Sequence, residues 1–75
     1  MSVEAVINQI KEFAYECIMK QGDECIKASD SMILTYLKSL MYDKDFEIFL
    51  RNKGMMLKIF RETAKEALNW LNSWV

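Results

Sequence analysis

Residues 55–75 read MMLKIFRETAKEALNWLNSWV. Leu57, Phe60, Ala64, Ala67, Leu71 and Trp74 recur at steps of three and four, which gathers them on one face of an α-helix. Met56, Ile59 and Trp70 widen that face, while Lys58, Glu62, Lys65, Asn69 and Asn72 fall on the opposite, water-facing side. A helix this one-sided has to be covered, so the preceding residues must supply the cover.

Working back from it, Asn52, Lys53 and Gly54 read as a helix C-terminus, with positive charge at the negative dipole end and then glycine. The helix they would end starts at an Asp43 N-cap, with Asp45 and Glu47 in its first turns and Phe46, Ile48, Phe49 and Leu50 as its apolar content. Glu47 and Arg51 make a favourable i,i+4 pair. The alternative is one long helix over 43–73 that Gly54 only kinks. Residues 42–45 read as a turn. Before them, 31–41 is helical, with Met32, Ile33, Tyr36, Leu37 and Leu40 on one side. Its start has two readings. Either a break at Gly22 lets Asp23 and Glu24 cap a helix running to Met41, or the first helix continues to about Ala28 and Asp30 caps a shorter one. The break at Gly22 is preferred. The first helix has Ser2 as N-cap and the stripe Val3, Val6, Ile7, Ile10, Phe13, Ala14, Cys17 and Ile18. With no proline, no strand alternation and no linker, the expectation is one all-α domain over 1–75. It would be a small antiparallel bundle of three to four helices, completed by self-association.

That last element comes from composition. Seventy-five residues make a small, marginally stable core. Yet apolar residues are 52% of the chain, including six Met, four Phe, three Tyr and two Trp. No histidine is present, and two cysteines do not fill a zinc site. Cys17 and Cys25 lie eight apart around Gly22, so a bridge needs the chain to turn there. Nothing marks the chain as secreted, and both are read as reduced, buried thiols. No apolar run is long enough for a membrane span, and the N-terminus lacks a basic start and apolar core. The expected location is cytoplasmic.

Catalysis has little support. Without histidine the usual general acid–base group near neutral pH is missing. The carboxylate pairs Glu12/Glu16 and Glu62/Glu66 lack the Glu-x-x-His partner of di-metal bundles and read as solvated faces. No phosphate loop, calcium loop or Cys-x-x-Cys motif occurs, and the alternating acids of 43–47 read as helix capping. No catalytic residue, metal or cofactor is expected.

Two binding readings remain. Large side chains at stripe edges and element ends, namely Met55, Met56, Trp70, Trp74, Tyr42 and Phe49, suit a contact with a second copy and with another protein. The expectation is therefore a non-enzymatic helical interaction module, most simply a homodimer acting as a small regulator, inhibitor or adaptor. The rival uses charge. Through Glu47 the chain carries 9 acidic and 5 basic residues, and from Ile48 on 2 and 5, a split of −4 and +3. Arg51, Lys58 and Lys65, seven apart, with Lys53 and Arg61 beside them, would form a strip for a nucleic acid or an anionic nucleotide.

Overall fold

The computed structural model describes residues 2–74. Five α-helices occur among them, and no strand: α1 (Val3–Gln21), α2 (Glu24–Lys27), α3 (Asp30–Leu40), α4 (Asp43–Arg51) and α5 (Lys53–Asn72). The helical pattern read over 55–75 ends as a helix at Asn72, with Ser73 and Trp74 in a turn, and Val75 lies outside the described residues.

Helix α1 starts where Ser2 accepts the Ala5 N–H on its hydroxyl at 3.2 Å. It stops at Gly22, which has φ 63° and ψ −142° and donates its own N–H to Ile18 at 2.9 Å. Both candidate breaks in the next stretch are realised. The chain turns at Gly22, makes the single turn α2, and breaks again at Ala28, whose backbone is extended. Ser29, not Asp30, then caps α3 by accepting the Met32 N–H at 3.3 Å. Asp30 follows as the acid of the first turn, where the helix dipole favours it. The single turn α2 is the element beyond the three or four expected.

Asp43 is likewise the first helical residue of α4, and the capping position is Tyr42, which offers no side-chain bond. The final break is present, as the reading of 52–54 as a helix C-terminus expects, and the single long helix over 43–73 does not form. It falls at Asn52, with φ −121° and ψ 32°, so Gly54 lies inside the first turn of α5. Asn52 can end α4 because its side-chain amide donates back to the Ile48 carbonyl at 3.0 Å. Its own carbonyl accepts the Met56 N–H at 2.9 Å and starts α5.

Helices α1 and α5 form the frame. The buried rows run from Val6 to Ile18 on α1 and from Met56 to Ala67 on α5, and Asp45 in the first turn of α4 bonds Gln9 in the first half of α1. Tyr15 and Met19, in the last half of α1, share a groove with Ala67, Trp70 and Leu71 in the last half of α5. The two long helices therefore run in the same direction. An antiparallel bundle was expected because adjacent helices with short connections reverse. Here α2, α3 and α4 return the chain to its starting end, so the first and last helices align. The molecule measures 39 × 22 × 19 Å, and a helix of 20 residues, about 30 Å long, sets the long axis.

The core lies along this contact. Val6, Ile10, Ala14, Cys17 and Ile18 of α1 meet Met56, Leu57, Phe60, Ala64 and Ala67 of α5 in one buried cluster. Ile33 and Leu37 of α3 and Phe49 of α4 close it. Fully burying side chains of this size contributes about 1.5–3 kcal/mol each. Phe46 stacks on Phe49 at 5.6 Å, and Tyr36 meets Phe60 edge-on at 6.5 Å. Among the described residues no helix is long and apolar enough to cross a membrane.

Candidate interaction surface

The six expected interface residues separate into two groups. Phe49 and Met56 leave the set: both are 0% exposed and fill the core. Phe49 points inward because α4 buries it with Asp45, one turn earlier. Met56 shares the buried face of α5 with Leu57 and Phe60. The other four lie open in a single copy: Tyr42 at 83%, Trp74 at 74%, Trp70 at 55% and Met55 at 45%.

The structure does not bring these four together. Met55 and Trp70 are fifteen residues apart on one helix, or about 22 Å, and Tyr42 sits at the α3–α4 corner. Trp70 and Trp74 do meet, edge to face, with ring centroids 5.6 Å apart. Trp70 also lines an open groove of about 290 Å³ with Leu71, Ala67, Tyr15 and Met19. Tyr15 and Met19 are large and exposed. The sequence reading missed them because they fall outside the α1 stripe. Their signal was an apolar i,i+4 pair on an otherwise polar face.

The groove arises from geometry at the upper end of the pair. Past Ile18 the α1 stripe is complete and the chain turns away at Gly22, while α5 continues to Asn72. Small Ala67 leaves a hollow between the helices, and Tyr15, Met19 and Trp70 stand around it. Aromatic rings with few rotatable bonds around an apolar hollow are what a partner side chain can enter at low entropic cost.

The basic strip is divided by the break at Asn52. Arg51 ends α4 and pairs with Glu47 at 2.7 Å, an exposed contact. Arg61 is committed inward. It donates to the carbonyls of Ile26 at 3.2 Å and Ala28 at 3.0 Å, and to the Asp30 carboxylate. Lys58 and Lys65 remain exposed beside it and share a shallow depression with Glu62 and Asp30. Lys53 is exposed at the start of α5.

Two buried features differ from the sequence reading. Cys17 and Cys25 are not free thiols but are joined in a disulfide, with Cα atoms 6.0 Å apart. The turn at Gly22 supplies the reversal that a bridge over this spacing needs, and the argument for reduced cysteines falls with it. Asp45, read as one of the capping acids of 43–47, is 1% exposed. One of its oxygens accepts the Gln9 amide at 3.1 Å; the other, Oδ1, has no hydrogen-bond partner. Tyr36, half-buried against Phe60, has its phenol pushed above its usual 10.0, first by burial and then by the negative charge of Glu16.

Among the described residues no cluster of three His, Cys, Asp or Glu side chains is placed to hold a metal ion. Comparison with known proteins matches the chain to no family model, no curated protein and no solved structure.

Proposed function

We propose that this chain is a non-enzymatic helical interaction module that self-associates, most simply as a symmetric dimer, and serves as a small regulator, inhibitor or adaptor of another protein. The observation behind it is the groove between α1 and α5, where Tyr15, Met19 and Trp70 expose large apolar surface around one hollow, with Trp74 beside it. Contiguous apolar surface of this kind marks contact sites in soluble proteins. A patch used identically by two copies makes a closed two-fold contact. The disulfide bears on location. Such bridges belong to oxidising compartments in most organisms, which favours such a setting over the cytoplasmic one expected from the sequence.

The test is light scattering on a sizing column at micromolar concentrations, with Met19→Glu and Trp70→Glu beside the parent chain. The parent should run at twice its 8.9 kDa mass, and each variant as a folded monomer by circular dichroism. A parent chain that stays monomeric throughout, or variants that still dimerise, would defeat the proposal.

A second reading rests on Lys58 and Lys65, exposed on either side of Arg61. It makes the chain a nucleic-acid or nucleotide binder through one face of α5. It is weakened by Arg61 and Arg51 being held by other groups, and by Glu62 in the same depression. Binding that is lost with salt and on charge reversal at Lys58 and Lys65 supports it; no binding at low salt removes it.

A further inference from the structure

We propose that the Cys17–Cys25 disulfide is a redox latch on the α1–α2 corner, whose reduction frees α2 while the α1–α5 frame stays folded. It stands apart from the association reading, because it concerns the corner and not the groove.

The first observation is how α2 is held. A helix of four residues does not persist on its own propensity. Three things fix it: the bridge from Cys25 to Cys17, burial of Cys25, and Arg61, which donates to the carbonyls of Ile26 and Ala28. The lone ion pair on α2, Lys27 to Asp23, is exposed and screened by water. Of α2 itself only Cys25 is buried, and Ile26 is partly buried against the edge of the core, whereas α1 and α5 share a long row of fully buried apolar residues. Cutting the bridge therefore removes the covalent hold on α2 and leaves the frame's own apolar row in place.

The second observation is access. Both cysteines line a small cavity of about 70 Å³ together with Gln21, Met32, Tyr36 and Phe60. Cys17 and Cys25 are buried at the edge of the core, and the cavity they line is bounded on its outer side by the exposed Gln21 and Met32. A small dithiol reaches them there. One of its thiolates attacks a sulfur, the S–S bond breaks, and a mixed disulfide forms. Its second thiol then displaces the remaining protein sulfur. The protein gains two electrons and two protons as two thiols, and the dithiol leaves as a cyclic disulfide. Opening of the corner then uncovers Ile26 and the apolar wall of the cavity.

A bridge across so short a loop changes the opening equilibrium by about one to two orders of magnitude. Hydrogen exchange read by mass spectrometry on the full chain, oxidised and then treated with dithiothreitol, measures this directly. The amides of Lys27 and Ala28, which bond to Asp23 and Glu24, should exchange about 10–100 times faster once reduced. The α5 amides from Met56 to Ala67 should hold their protection. The paired variant Cys17→Ser with Cys25→Ser should reproduce the reduced pattern. Should that variant fail to fold, the dithiothreitol-treated parent chain gives the answer alone. Three results overturn the proposal: unchanged exchange in α2, loss of protection along α5 together with α2, or a bridge that dithiothreitol does not cleave in the folded chain.

Discussion

At Gly22 the backbone sits at φ 63° and ψ −142°, yet a Cβ placed there meets nothing within 4 Å. Space is not the constraint; conformation is, because this region is essentially reserved for glycine. Gly22→Ala should therefore cost about 1–3 kcal/mol in a urea melt. Gly54 has the same open surroundings but lies in a helix, so Gly54→Ala should raise stability by up to about 1 kcal/mol. Equal effects at the two glycines would refute this account. Asp45 and Gln9 set a second residue-level test. Gln9→Ala removes the one hydrogen bond of a buried carboxylate, and should cost about 1–3 kcal/mol, above the loss of a half-exposed side chain. A near-zero cost would mean the carboxylate is solvated after all. Tyr36 gives a pH dependence. Its raised pKa in the folded chain means that its neutral form stabilises the fold below pH 10. That contribution is lost as pH rises through the folded value. Alkaline melts should show stability falling above pH 10, and Tyr36→Phe should flatten the fall.

Among elements, α2 and the start of α3 depend on a few polar contacts instead of a buried stripe. Arg61 links α5 to the end of α2 and to Asp30 of α3. Arg61→Ala leaves the Ile26 and Ala28 carbonyls without that donor and should cost about 1–2 kcal/mol, discounted for a partly exposed side chain. The loss should appear as faster amide exchange confined to residues 24–32. Exchange spread evenly over the chain would show that Arg61 supports the whole bundle and not this corner. The helix start at Ser2 was legible because a hydroxyl before an apolar run is a local signal, whereas α3 is capped by Ser29 and not by the Asp30 that the sequence offered. The end of α4 was legible only to within two residues. Glycine is the usual marker, but Asn52 ended the helix with a side-chain bond back to Ile48, a local solution that composition does not announce.

For the whole molecule, the deciding quantity is the apolar surface one copy leaves open at the α1–α5 groove. If two copies cover it, the melting temperature should rise with protein concentration. Trp70→Glu should lower it toward the concentration-independent value of a monomer. A parent chain whose melting temperature does not move between micromolar and hundred-micromolar samples would argue against a second copy as the occupant. The charge split between the halves does not bear on this directly. Arg61 spends its charge within the chain on Asp30, and Arg51 on Glu47.

The local physics of the chain was enough to specify helices, because periodicity, capping hydroxyls and the absence of proline act over a few residues. The same periodicity placed Leu57, Phe60, Ala64 and Ala67 inside and Trp70 and Trp74 at the edge. Only the folded chain determined which of the large side chains found cover. Phe49 and Met56 are enclosed because α4 and α5 turn them into the core shared with α1, and Tyr15 and Met19 are open because the chain turns away from that side at Gly22. Likewise, a spacing of eight between cysteines becomes a bridge only when the chain reverses, and an acid becomes buried only when another helix brings Gln9 to meet it. Each of these depends on residues far apart in sequence, whose proximity no local pattern encodes.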